Sequence, residues 1–152
     1  MFTTPSERRL ARGFTLVELV SVITVLGILA AVAIPRMETE TFQQAAFHTR
    51  VLAALRYAQK TAVSHRRPVC VTFPGLHSVS LNIDVAANDD CKTILLIPSA
   101  NSNQIASGAA TALFSEIPES FTFAANGTTS NRTIDFVGGA RITIVGATGG
   151  VF

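Results

Sequence analysis

Hydrophobic positions along this chain follow three successive patterns. From Phe14 to Ile34 they are nearly continuous, FTLVELVSVITVLGILAAVAI, a run of 21 residues interrupted only by small polar side chains and Glu18. At 1.5 Å per residue the run predicts a helix of roughly 30 Å, the thickness of a bilayer's hydrocarbon core. From Glu38 to His65 the spacing changes, and Phe47, Val51, Leu55, Ala58 and Ala62 recur at intervals of three and four. That stripe predicts an amphipathic helix with one face on a core, leaving Arg50, Arg56, Gln59 and Lys60 to the solvated side. From Pro68 onward, short runs rich in β-branched and aromatic residues alternate with turn formers. They predict strands at Val69–Phe73, Val79–Ile83, Thr93–Ile97, Phe121–Ala124, Thr133–Val137 and Arg141–Val145. Pro74-Gly75, Asn126-Gly127 and Gly138-Gly139 supply the breaks, the last of them reading as a hairpin turn between two alternating runs. Ser, Asn, Ala and Gly dominate Pro98–Ala112 and Asn126–Asn131, which read as exposed loops. The expected fold is α+β: a long N-terminal helix, half transmembrane and half amphipathic, packed on a small antiparallel β-rich head.

Three arginines, Arg8, Arg9 and Arg12, precede the apolar run, and the positive-inside rule keeps that end in the cytoplasm with the remainder facing outward. Three readings compete for the segment: a cleaved secretory signal, a plain membrane anchor, and a helix that later leaves the membrane for an assembly. Ala31-Val32-Ala33 imitates a signal cleavage site, but the run is longer than the usual apolar region of such signals. Glu18 discriminates among the three. An ionised carboxylate among Leu16, Val17, Leu19 and Val20 is costly in lipid unless a positive group meets it, and an anchor has no use for it. If the bond after Gly13 is cut, the new α-amino group of Phe14 supplies that charge to a neighbouring copy's Glu18. Pro35 removes a backbone donor where the run ends, which either kinks the helix at the membrane exit or marks the end of an anchor.

The residues Arg12-Gly13-Phe14-Thr15-Leu16-Val17-Glu18 resemble the type IV prepilin processing motif, in which a short basic leader is followed by glycine, phenylalanine and a glutamate at the fifth mature position. Gly27 and Pro35 also stand where pilins commonly have a glycine and a proline. This resemblance implies cleavage between Gly13 and Phe14 by a prepilin peptidase, N-methylation of Phe14, an assembly role for Glu18, and helix distortion at Gly27 and Pro35. It divides the chain into a leader at 1–13, a transmembrane and filament-core helix at 14–35, an amphipathic stalk at 36–67 and a β-rich head at 68–152. Ala54-Leu55-Arg56-Tyr57-Ala58-Gln59-Lys60-Thr61-Ala62, followed by Arg66-Arg67-Pro68-Val69, is similar to FimT/GspH-type minor pilins and pseudopilins, and to a minor subunit of mannose-sensitive haemagglutinin pili. The function implied is a structural subunit of a type IV pilus or type II secretion pseudopilus. Implied partners are other pilins or pseudopilins, the prepilin peptidase and the inner-membrane assembly platform. The implied location is the bacterial inner membrane, with a periplasmic head, and then a filament.

Charge refines the picture. Arg36 to Arg67 carries six cations against Glu38 and Glu40, a net +4, whereas Pro68 to the end is net −3. No broad basic nucleic-acid surface follows from that balance. An alternative function, DNA capture during uptake, is implied by resemblance alone: some FimT-like minor pilins use arginines near a C-terminal Gly-Arg motif, which Gly139-Ala140-Arg141 matches imperfectly. Arg132 and Arg141 are the residues it singles out, a thin pair for phosphate in a net-acidic head, so DNA is not the favoured partner. Cys70 and Cys91 enclose 20 residues; an even count in an exported domain favours a disulfide over two separate thiols. Asp84, Asn88, Asp89 and Asp90 lack the calcium-loop spacing and read as a solvated acidic loop. His48, His65 and His77 are scattered and read as surface histidines. No nucleophile elbow, zinc-protease pair, Cys-x-x-Cys or phosphate-cradling glycine loop is present, so no enzyme, metal or cofactor is expected.

Overall fold

The computed structural model describes residues 14–33, 40–86 and 90–152. It falls into two compact units divided after Met37. In the first, α1 (Leu16–Ala33) is a helix of 18 residues, or about 27 Å. It is continuous through Gly27. Its large side chains are exposed all round, from 46% at Val20 to 77% at Leu16. The hydroxyls of Ser21 and Thr24 bond back to the carbonyls of Glu18 and Ser21, each at 2.9 Å, so even the polar positions present little hydrogen-bonding capacity outward. Among the described residues no helix is long and apolar enough to cross a membrane. Ile34 and Pro35 lie outside the described residues.

In the second unit, α2 (Glu40–His65) lies against two antiparallel sheets. The first contains β1 (Val69–Gly75), β2 (Ser78–Ile83), β3 (Thr93–Ile94), β4 (Gln104–Ala106) and β5 (Phe121–Phe123). Its path is β3-β2-β1-β5, and β4 shares the outer edge of β2 with β3. The second sheet is β6 (Arg132–Asp135), β7 (Arg141–Val145) and β8 (Gly150–Val151), paired in that order. Alternation sets the inner faces, because successive side chains of a strand point to opposite sides. Val69, Val71, Val79, Leu81, Phe123, Ile134, Ile142 and Ile144 are buried, and so is the whole expected stripe of α2 from Phe47 to Ala62. At one end of this core Phe114 packs against Phe47, Phe136 and Phe73 with ring centroids 5.2, 5.0 and 5.4 Å away.

The β6–β7 hairpin forms as expected, with Gly138 and Gly139 at φ 92° and 86°. Four other details differ from the sequence reading. Pro74-Gly75 does not end its strand: β1 continues to Gly75 through a register shift after Thr72, with Pro74 exposed at the irregularity, where its missing N–H costs the ladder nothing. Thr93–Ile97 is a strand only at Thr93–Ile94, because the chain turns back at Ile97, whose N–H donates to Ser102 O at 2.7 Å. Pro98–Ala112 is not wholly an exposed loop. Val79 and Ile105 are register partners, and Ile105 and Ala112 are buried; one apolar residue in a polar run is enough when a free strand edge waits far away in sequence. β8 was not expected at all.

Candidate functional site

Two regions of the chain carry the residues singled out from sequence. At the N-terminal end Gly13 lies outside the described residues, and Phe14 is 83% exposed. Phe14 and Thr15 precede the helix, and the Thr15 hydroxyl accepts the Glu18 N–H at 3.2 Å. Thr15 is therefore the N-cap and Glu18 the third residue of α1, the Thr-x-x-Glu spacing of a capping box. That spacing was available in the sequence and was overlooked. It gives Glu18 a local role, an acid in the first turn where the helix dipole favours negative charge. It also places Glu18 about one helical turn beyond Phe14. Glu18 is exposed and makes no ion pair among the described residues, so any cation it meets must come from elsewhere. Gly27 presents an open surface, with nothing within 4 Å of where a Cβ would stand.

On the head, Arg132 and Arg141 are not brought together. In the β6–β7 ladder Arg132 faces Ile144 and Asp135 faces Arg141. Counting by twos places Arg132 on the inner face with Ile134, and Arg141 with Asp135 on the outer. The Arg132 guanidinium lies 4.3 Å from the Phe121 ring centroid and donates to Glu119 O at 3.3 Å and to the Ser130 hydroxyl. Arg141 Nε donates to Asp135 Oδ1 at 2.5 Å. That hydrogen bond, reinforced by the carboxylate's charge, raises the Arg141 pKa above its ordinary value.

Cys70 and Cys91 form a disulfide with Cα atoms 6.1 Å apart. It ties the start of β1 to the segment just ahead of β3, across β2. The acidic loop differs from expectation at Asp84, which is fully buried and held by interactions rather than solvated. Its backbone N–H donates to Pro68 O at 3.0 Å, drawing it under the end of β1. Asp90 pairs with Lys92 at 2.9 Å. Asn88 and Asp89 lie outside the described residues, and among the described residues no group of acids, histidines or cysteines is arranged to hold a metal. His48 is half-buried rather than a free surface group, edge-on to Phe136 at 5.0 Å.

Comparison with known proteins agrees with this division. Residues 8–34 match the prokaryotic N-terminal methylation motif, and residues 49–150 match the model for type II transport protein GspH. No curated protein matches. Among solved structures, the type IV minor pilin FimU of Pseudomonas aeruginosa strain PAO1 superposes with a TM-score of 0.58 at 24% identity, over 75% of this chain and 90% of that one; the likeness is one of fold. With a family model spanning most of its length and a methylation motif at its start, the chain belongs to the GspH family of type II transport proteins, the minor-pilin and pseudopilin class of filament subunits.

Proposed function

We propose that this subunit is made as a membrane-inserted precursor, cut after Gly13, N-methylated on Phe14, and drawn into a pilus or secretion pseudopilus by pairing of Glu18 with the α-amino group of a neighbouring subunit. The observation that carries the reading is a carboxylate that makes no ion pair among the described residues, on an otherwise apolar, exposed helix, within a methylation motif that spans residues 8–34. A helix apolar on every side needs cover from lipid or from other helices. Lipid serves before assembly and neighbouring helices after it. Once cut, the Phe14 amine is the nearest cation the motif supplies, and an unmatched charge in such a bundle penalises every wrong register. Other pilins or pseudopilins, the prepilin peptidase and an inner-membrane platform are the partners this requires. The chain's work is structural, with the head presenting its surface outward from the inner membrane.

DNA capture draws no support from the arrangement of Arg132 and Arg141, which occupy opposite faces of one ladder and are engaged within the head. The test is mass analysis of the mature N-terminus with a filament-incorporation assay. Methylated Phe14 and loss of incorporation in Glu18→Ala are expected. A mature chain that keeps its leader, or Glu18→Ala incorporated as well as wild type, overturns the proposal.

A further inference from the structure

The end of α2 places an arginine where the closing turn of a helix usually has glycine. Arg67 N–H donates to Ala62 O at 3.2 Å and Arg66 N–H to Val63 O at 3.3 Å, the pair of bonds of a Schellman turn. The turn holds Arg66 at φ 51°, a left-handed conformation in which glycine is the usual residue and an L side chain is disfavoured. The Arg66 side chain is exposed, Arg67 is half-buried beside it, and Lys60 stands exposed on the preceding turns of the helix. Among the described residues neither the Arg66 nor the Arg67 guanidinium makes an ion pair.

The complementary surface lies elsewhere on the same head. Between Phe114 and β5, Glu116 and Glu119 are exposed and make no ion pair among the described residues. With Ile117, Pro118 and the β6 residues Arg132 to Ile134 they line an open groove of about 430 Å³. Ile117 is 57% exposed at its rim. Arg132 also lines the groove, but its guanidinium is turned onto the Phe121 ring and the Glu119 carbonyl.

We propose that the Arg66–Arg67 turn of one copy docks into the Glu116–Glu119 groove of a second copy, guanidinium groups on carboxylates and arginine stems over Ile117 and Pro118. Arginine suits this task, because its planar fork meets a carboxylate in two parallel bonds and its stem covers apolar surface. The two surfaces are different patches of one chain, so the contact is heterologous and propagates instead of closing a dimer. This inference rests on the filament-subunit reading and names a contact within it.

The experiment uses full-length protein in detergent, with self-association followed by sedimentation at several salt concentrations. Arg66→Glu with Arg67→Glu, and separately Glu116→Arg with Glu119→Arg, each weaken association about tenfold or more. An equimolar mixture of the two variants recovers it, since each then offers the charge that the other's altered surface needs. Arg66→Gly raises the thermal midpoint by about 4 °C while weakening association, a split that a purely structural arginine does not produce. A wild-type chain that stays monomeric, reversal variants that associate as wild type, or folded variants whose mixture recovers nothing each overturn the contact. Filament incorporation of wild type in the same strains keeps the two readings apart: its failure sinks the subunit role, whereas its success without recovery in the mixture sinks only this interface.

Discussion

Gly149 sits where the β7–β8 turn presses on the Asn126-Gly127 turn, and replacing it with alanine introduces two separable costs. The residue is at φ 65°, and an added Cβ would stand 1.8 Å from Gly127 O and 3.0 Å from Gln59 Cγ. The left-handed conformation costs an alanine about 1 kcal/mol, and a forced overlap in a packed region costs about 1–3 kcal/mol more. Gly127 has little room to withdraw, because it is itself at φ 84° with the space beyond it filled by Val63 Cγ2 and Gln59 Nε2 of α2. Gly149→Ala is therefore expected to destabilise the second unit by about 2–4 kcal/mol. Gly139→Ala is the control, since Gly139 shares a positive φ, 86°, but has nothing within 4 Å; it pays the conformational cost alone, about 1 kcal/mol. With about 2.1 cal/mol/K of unfolding entropy per residue over the unit Glu38–Phe152, each kcal/mol moves the midpoint by about 4 °C. Scanning calorimetry of the detergent-solubilised chain should thus show a drop of about 8–16 °C for Gly149→Ala and about 4 °C for Gly139→Ala. Equal drops in the two variants would refute the contact between the two turns.

Other perturbations test other parts of the molecule. Phe114→Ala removes the ring shared by three aromatic neighbours and should cost about 3–5 kcal/mol in urea unfolding; a loss below 1 kcal/mol contradicts a packed aromatic cluster. Opening the disulfide with Cys70→Ser and Cys91→Ser should cost roughly 3 kcal/mol, the chain-entropy value for a loop of this length, and hydrogen exchange should rise first around β3. Arg141→Ala should leave the midpoint unchanged, because its pair with Asp135 is largely solvated and exposed pairs contribute little; a clear loss would mean that the pair is structural.

Legibility tracked the range of the interactions. The stripe of α2 and the β6–β7 hairpin were readable because each is set by residues close in sequence: a helical period in one case, two alternating runs around Gly138-Gly139 in the other. The shared edge of β2 was not. Neither the return of the chain at Ile97 nor the pairing of Val79 with Ile105 leaves a local mark, since a single isoleucine in a Ser/Asn-rich run shows no period. Asp84 likewise reads as a solvated acid until Pro68 is brought beside it. At the N-terminal end the signal was local, for Thr15 and Glu18 stand at the spacing of a capping box within one turn.

Taken alone, the order of residues determined an apolar helix bearing a lone acid just beyond a cluster of arginines, a second helix with one greasy face, and a β-rich remainder. Those properties depend on neighbours within a few positions, where backbone geometry is fixed by the chain's own covalent spacing. Only the folded molecule decided which strand edges meet, which face of a ladder each arginine takes, and that Arg66 is held in a glycine's conformation at the end of α2. These depend on residues tens of positions apart, and closing such distances is settled by the packing of the whole core.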